Sequence, residues 1–316
     1  MKDSIKLYDE EMVLNKLDVS LVKNALKDAF KGLANQSTVQ PGQMVIPFPK
    51  GAGDCIFYPG LIHDLNIMGV KVSPYIQALA EQNKRPVTAY TLLMSTATGT
   101  PLLLCDSYAL TTIRTAATTA LALEYLTPKS AKKLAIIGSG AVAKKHLEYV
   151  AAQHDWEEIN IWSLSLNNDE SEKRIMDEFC SNHNIKYDVP LSAEKAVENA
   201  DVVMLCTSSG TPVIEYEWLK ENAVVTSIST NVVNAHEISP RDLKHFNVFC
   251  DYKETAPITA GEMIISIENG TWEAGSISGD LMDLCSSSVK PPKEGKIFFR
   301  STGLGLEDLA IASLLI

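Results

Sequence analysis

The sequence predicts an α/β protein in two parts, a doubly wound parallel sheet and a mixed α+β region ahead of it. Three observations carry the prediction. From Lys133 onward, short apolar runs alternate with helical patterns, as parallel βαβ units require. At the first of these junctions stands the turn Gly138-Ser139-Gly140-Ala141-Val142-Ala143. Before the long helix that precedes Lys133, the chain is instead rich in brief β-favouring segments punctuated by Pro, Gly and Asp.

Within residues 20–33, Val22, Leu26, Ala29, Phe30 and Leu33 fall on one helical stripe. Asp18 or Ser20 suits its N-cap. Segments 43–48, 55–58, 69–73, 87–94 and 101–105 read as short strands of a mixed sheet or open barrel. A long helix over 109–126 follows, carried by Ala116, Ala117, Ala120, Leu121, Leu123 and Leu126 and stopped by Thr127-Pro128. Lys133-Leu134-Ala135-Ile136-Ile137 is continuously apolar after its first residue, as a strand covered on both faces must be. Next come a helix over 141–152, a strand at 159–162, a charged helix over 169–183 and a short strand near 187–189. A helix over 193–199 and strands at 202–206, 224–228 and 248–250 complete the alternation.

Composition excludes several classes. With 316 residues, 46% of them hydrophobic and 21% charged, the chain can build one large or two medium cores, and neither disorder nor fibrous repeats fit. Lys and Arg total 28 against 39 Asp and Glu, a formal charge of -11. No sequence-wide positive field exists to gather nucleic acid or anionic membrane, although a local basic pocket for one small anion remains compatible with it. Met1-Lys2-Asp3-Ser4-Ile5-Lys6 mixes charges where a signal peptide needs an apolar stretch. No run approaches the ~18 apolar residues that span a bilayer. A cytoplasmic protein is expected. The cysteines, Cys55, Cys105, Cys180, Cys206, Cys250 and Cys285, are widely spaced and mostly inside apolar runs, as buried free thiols would be.

Gly138-Ser139-Gly140-Ala141-Val142-Ala143 fits G-x-G-x-x-A, the dinucleotide fingerprint of the Rossmann fold. Gly138 allows the tight turn, Gly140 lets the backbone approach a pyrophosphate, and Ala143 lets the helix pack close to its strand. The helix N-terminus beyond supplies N–H donors to phosphate. The motif sits between a buried strand and a helix, the context that gives it meaning. An acid about 20 residues further on would accept the ribose 2′-hydroxyl of NAD. This chain has Ser163 there, in Trp162-Ser163-Leu164-Ser165. A neutral hydroxyl does not repel a 2′-phosphate, and Ser165, Asn167 or Lys173 could reach one. NADPH is therefore favoured, with NADH possible.

Two isolated cations stand out. Arg114 interrupts an apolar helix with no acid three or four residues away. It suits a carboxylate or phosphate held bidentately, or a salt bridge to a distant acid such as Asp106 or Asp308. Lys71, in Met68-Gly69-Val70-Lys71-Val72, is either a pocket ammonium that binds a carboxylate or exchanges a proton, or a solvated charge on an exposed strand face. The histidines are scattered without metal-ligand spacing, so no metal is expected. Neither a Gly-x-Ser-x-Gly elbow nor a P-loop is present.

Gly69-Val70-Lys71, Ile113-Arg114-Thr115-Ala116-Ala117, Ile137-Gly138-Ser139-Gly140-Ala141 and Ser301-Thr302-Gly303-Leu304-Gly305-Leu306-Glu307-Asp308 occur in this order. Together with Cys206-Thr207-Ser208-Ser209 and Gly261-Glu262-Met263 they make the chain resemble the ornithine cyclodeaminase/mu-crystallin family nearly end to end. The resemblance implies a substrate-binding and dimerisation domain over 1–118, completed by 296–316, and a Rossmann domain over 119–295, with the catalytic cleft at their junction and a homodimer as the assembly. It implies that Arg114 binds the substrate carboxylate close to the cofactor phosphates and that Lys71 is the active-site lysine. Thr88, Gly138, Ser139, Gly140, Ala141, Val142, Ala143, Ser163, Thr207, Ser208 and Ser229 would line the cofactor, and Thr302 and Gly303 would lie near the substrate. Gln43 is either a further polar contact to substrate or a solvated strand residue.

Two departures narrow the reaction. Deaminating members place an Asp where this chain has Asn231, and Asn cannot act as a general base, though it can hydrogen-bond an imine or amine. The Arg that those members set before their Met-Pro turn falls at Ile56. The resemblance thus points to reduction of a cyclic ketimine 2-carboxylate, Δ1-pyrroline-2-carboxylate or Δ1-piperideine-2-carboxylate, to L-proline or L-pipecolate. The alternatives are cyclodeaminase or alanine dehydrogenase-type deamination, an opine-type condensing reductase, and a non-catalytic NADPH-binding, crystallin-like protein.

Overall fold

Seven strands build the first sheet: β1 (Lys6–Tyr8), β2 (Thr38–Val39), β3 (Met44–Pro47), β4 (Gly53–Ile62), β5 (Ile67–Ile76), β6 (Tyr90–Ser95) and β7 (Pro101–Asp106). The computed structural model describes residues 5–82, 84–230 and 233–316. Strand order is β1-β7-β6-β5-β4-β2, with β3 also on β4. All pairs are antiparallel except β1 with β7. β4 and β5 pair in unbroken register from Gly53↔Ile76 to Ile62↔Ile67, so residues alternate cleanly between the two faces. Thr91, Leu93, Ser95, Leu103 and Cys105 point inward and are buried, while Leu92, Met94, Leu102 and Leu104 between them are partly exposed.

The inner face is covered by the C-terminal helix, on which a second helix packs in turn. Helix Val19–Ala34 starts at Asp18, whose carboxylate accepts from the N–H of Ser20 and Leu21, and buries Val22, Leu26, Ala29 and Phe30. The C-terminal helix, Gly305–Ala312, has all eight residues buried and packs on β4 and β5. Glycine lets it approach: a Cβ on Gly305 would lie 2.1 Å from the carbonyl oxygen of Pro59. These elements belong to one compact unit, Met1–Ala117 with Gly303–Ile316, and Thr118–Thr302 form a second. The chain passes between the two within helix Tyr108–Leu126.

The second sheet is wholly parallel: β8 (Lys133–Ile137), β9 (Glu158–Trp162), β10 (Val202–Leu205), β11 (Val224–Ser227), β12 (Asn247–Cys250), β13 (Ile277–Asp280) and β14 (Ile297–Arg300), ordered β13-β12-β14-β11-β10-β8-β9. β10, β11 and β14 are buried at every residue, as strands covered on both faces are, and β10 is apolar throughout. β8 is flanked by β9 on one side and β10 on the other, so the order reverses there. Ligands of open α/β sheets bind beyond the carboxyl ends of strands at such a reversal.

Several details differ from the sequence-based expectation. Residues 187–189 contribute only a bridge, Asn160↔Asp188. The charged helix spans Glu170–Asn182, capped by Asp169 through the N–H of Ser171, and a short helix that the sequence did not announce, Leu164–Asn168, precedes it. Residues 297–300 were assigned to the first domain, yet they form β14, hydrogen-bonded between β11 and β12 of the second sheet. All six cysteines are buried and none is in a disulfide. Among the described residues no helix is long and apolar enough to cross a membrane.

Gly305→Ala should therefore destabilise the protein by about 1–3 kcal/mol, since backbone cannot rotate out of the way of the new methyl. Thermal or urea unfolding of the purified variant checks this.

Candidate active site

Strand register sets one wall of the candidate site. Lys71 on β5 pairs with Tyr58 on β4 and with Thr91 on β6, so all three share the inner face. Lys71 is 1% exposed. Its Nζ lies 2.8 Å from Asp308 Oδ2 and 3.0 Å from Oδ1, and 3.4 Å from the Thr111 hydroxyl. It also sits 4.3 Å from the Tyr58 ring centroid, a cation-π contact.

The helix that begins at Tyr108 brings Arg114 to the same place. Arg114 Nη1 donates to Glu307 Oε2 at 3.2 Å, and its Nε is 3.4 Å from Asp308 Oδ1. Gly303, at φ +84°, makes room: a Cβ there would lie 2.5 Å from Arg114 Nη1. The Ser-Thr-Gly-Leu…Glu-Asp ending is thus one device. Its glycine accommodates the guanidinium, and Glu307 and Asp308 supply the counter-charges.

Of the two readings of Arg114, the structure contains the pairing with Asp308, while Asp106 instead accepts from the Tyr108 N–H. The wall holds two positive and two negative groups, all buried. Burial pulls the Lys71 ammonium down from its usual range to about 8; Asp308 opposes that shift and Arg114 adds to it. Burial pushes the Tyr58 phenol up to about 12, so it stays protonated.

The second unit carries the dinucleotide fingerprint. Gly138 has φ +123°, and a Cβ there would fall 2.4 Å from the carbonyl oxygen of Cys206. Gly140 has open space where a Cβ would stand, so a ligand can approach the backbone. Helix Ala141–Ala151 begins there without a side-chain cap, leaving its first N–H groups directed outward. Ala143 and Leu147 are buried against the sheet. Ser139 Oγ lies 2.8 Å from Ser163 Oγ and 3.2 Å from Ser165 Oγ, which are 3.1 Å apart. A free turn, an uncapped helix end and three neutral hydroxyls at the ends of β8 and β9 fit a nucleotide pyrophosphate and ribose.

Not every expected residue joins these groups. Thr88 lies in the first unit, exposed beside the end of β5, where its carbonyl accepts from Ser73 Oγ. Gln43 is half-buried ahead of β3; Gln40 is the glutamine that reaches the C-terminal helix, accepting from the Leu306 N–H at 2.8 Å. The Thr302 hydroxyl is engaged by Asp251 of the second unit at 3.1 Å. Ser208 is exposed, and Asn231 lies outside the described residues.

Sequence reasoning missed Glu237. This fully buried carboxylate accepts from the Thr207 N–H and hydroxyl, both at 2.7 Å, and from Ser227 Oγ, Ile228 N–H and Ser229 N–H at 2.7–3.1 Å. It ties together the loops after β10 and β11. Arg300 supports the same region, pairing with Glu262 at 3.0 Å and donating to the Ser227 hydroxyl at 3.3 Å. No local pattern marks Glu237, whose partners are strand-end hydroxyls and backbone groups.

Asp308 holds the Lys71 proton in place, so Asp308→Asn should move the Lys71 titration below about 8. NMR titration of ε-13C-labelled lysine checks both positions.

A model of the ornithine cyclodeaminase/mu-crystallin family matches residues 2–316. The NAD(P)H-dependent anabolic L-arginine dehydrogenase of Pseudomonas aeruginosa is 44% identical over 312 residues, 98% of this chain and 95% of that protein. The Δ1-pyrroline-2-carboxylate reductase of Bacillus cereus is 26% identical over 294 residues, 91% of this chain and 88% of that protein. The solved structure of Thermococcus litoralis Δ1-pyrroline-2-carboxylate reductase, in complex with NADH and L-proline, matches with a TM-score of 0.90 at 25% identity, covering 98% of this chain and 96% of that one. With the family model spanning nearly the whole sequence, the chain belongs to the ornithine cyclodeaminase/mu-crystallin family.

Proposed function

We propose that the protein is an NAD(P)H-dependent oxidoreductase that reduces the C=N bond beside a carboxylate, its substrate being the imine of a 2-oxo acid with a guanidino group and its product L-arginine. The observation that carries the substrate is the 44% identity, over 98% of this chain, to an anabolic L-arginine dehydrogenase. The chemistry rests on the buried wall of Lys71, Arg114, Glu307 and Asp308. A second reading, reduction of Δ1-pyrroline-2-carboxylate or Δ1-piperideine-2-carboxylate, is favoured by the Thermococcus litoralis enzyme, which matches over 98% of this chain.

Both readings use the same steps. Arg114 binds the substrate carboxylate, its orientation set by Glu307 and Asp308. Lys71, held by Asp308 and placed over the Tyr58 ring, keeps the imine nitrogen protonated, since a group with a pKa of about 8 gives up and regains a proton near neutral pH. A protonated C=N carbon accepts hydride far more readily than a neutral one. The reduced nicotinamide supplies that hydride, and the nitrogen keeps the proton. Asn231 hydrogen-bonds the imine without acting as a base. Gly138, Ser139, Gly140, Ala141, Val142 and Ala143 cradle the pyrophosphate. Ser163 and Ser165 present hydroxyls rather than a carboxylate to the ribose, which favours NADPH over NADH.

The assembly we propose is a homodimer through the outer face of the first sheet. A solvated sheet face should be polar. Here Phe57, Leu61, Val70, Leu92, Met94 and Leu104 are all partly exposed, and Met44, Ile46 and Met68 are exposed outright, an apolar face suited to a second copy.

NADPH oxidation followed with ammonia plus 2-oxo-5-guanidinopentanoate, with each cyclic imine, and with ammonia plus pyruvate separates the readings. The guanidino acid should give the highest kcat/KM. Faster turnover of a cyclic imine would establish the second reading, and no oxidation with any of them would reject both. Lys71→Ala and Arg114→Ala should each lower kcat/KM by about 10²-fold or more, with NADPH binding retained in Lys71→Ala. Because Lys71 must be protonated, kcat/KM should fall as pH rises through about 8. Light scattering should give twice the chain mass, and Leu92→Asp should shift it toward the monomer.

A further inference from the structure

The inner face of β4 continues past the charged wall. Tyr58, Ile56 and Asp54 project from that face in succession, opposite Lys71, Ser73 and Tyr75 of β5. The Lys71 row is closed over, but Ser73 is half-buried and Tyr75 is 38% exposed, so the face opens toward Asp54. Asp54 is itself half-buried. Among the described residues it accepts no hydrogen bond and forms no ion pair, unlike Glu307 and Asp308 on the same wall. Its carboxylate is therefore available to a cationic group that a ligand brings.

We propose that Asp54 determines substrate specificity by pairing with a cationic group at the far end of the substrate, a guanidinium in the first instance. The proposal rests on the reading of this wall as the carboxylate site of a 2-imino acid reductase. Four residues of antiparallel strand separate Asp54 from Tyr58, about 13 Å. Hydrogen bonds of about 3 Å at each end leave about 7 Å, which an extended amino acid with three methylenes and a guanidinium spans. Ile56, midway, offers an apolar surface for those methylenes. Carboxylate and guanidinium would then bind opposite charges at the two ends of one face: Arg114 and Lys71 at one, Asp54 at the other. A cyclic ketimine has no cationic tail and leaves Asp54 unused.

The test is calorimetric binding of L-arginine and of L-norleucine, a neutral amino acid with a similarly extended side chain, to the full-length protein with NADP+ present, for the unmodified chain and for Asp54→Asn. The unmodified protein should bind L-arginine 10- to 100-fold more tightly than L-norleucine. Asp54→Asn should remove that preference while L-norleucine binding stays within a few-fold, which also shows that the variant is folded. A preference that survives Asp54→Asn, no preference in the unmodified protein, or equal loss of both ligands overturns the proposal. Failure of the reductase reading looks different: no imine is reduced by the unmodified protein, whatever the binding preference.

Discussion

In the first unit one interaction brings distant elements to a single point, the pairing of two buried cations with two consecutive acids of the C-terminal helix. Lys71 arrives on the central antiparallel sheet and Arg114 on the helix that leads to the second unit, while Glu307 and Asp308 come from the last helix of the chain. An isolated buried charge of either sign is strongly unfavourable, so each group is held there by the others. The glycines follow from the same constraint: Gly305 lets the helix lie against β4, and Gly303 leaves space for the guanidinium. In the proposed reductase, the cost of concentrating charge would be offset by a wall that meets the substrate carboxylate with its cations already in position.

The second unit solves a different problem with mostly neutral groups. Its parallel strands end in hydroxyl-bearing loops, and those loops are ordered by Glu237, with Arg300 and Glu262 beneath. The turn is tight at Gly138, where a side chain would strike the Cys206 carbonyl just after β10, and open at Gly140. Phosphate-binding capacity comes from backbone N–H groups and a helix end rather than from lysines, which is how a chain with a formal charge of -11 accommodates an anionic nucleotide.

Much of this was legible in the sequence, and unevenly so. The parallel sheet reads well because β8 after its first residue and all of β10 are buried and apolar, and β11 opens on two buried valines. β1, β13 and β14 were not anticipated. β1 is three residues long, and β14 carries the buried Arg300, whose partners come from strand ends and loops far away in the chain. Lys71 and Arg114 stood out as charges in apolar runs, but whether Arg114 would face a ligand or an acid depended on the folded position of Glu307 and Asp308, some 193 residues away along the chain. Glu237 and Asp54 gave no signal, since a carboxylate's role depends on what faces it in space.

The central claim is that the Lys71–Asp308 pair is kept for chemistry rather than for folding. Replacing both together, Lys71→Met with Asp308→Leu, removes the charges and leaves apolar side chains in their place, which in buried pairs is often neutral for stability, whereas losing one partner costs about 3–5 kcal/mol. The decisive measurement is kcat/KM of the double variant alongside its unfolding free energy. The account predicts stability near that of the unmodified protein with imine reduction reduced by orders of magnitude; a stable double variant that retains reductase activity within a few-fold would contradict it.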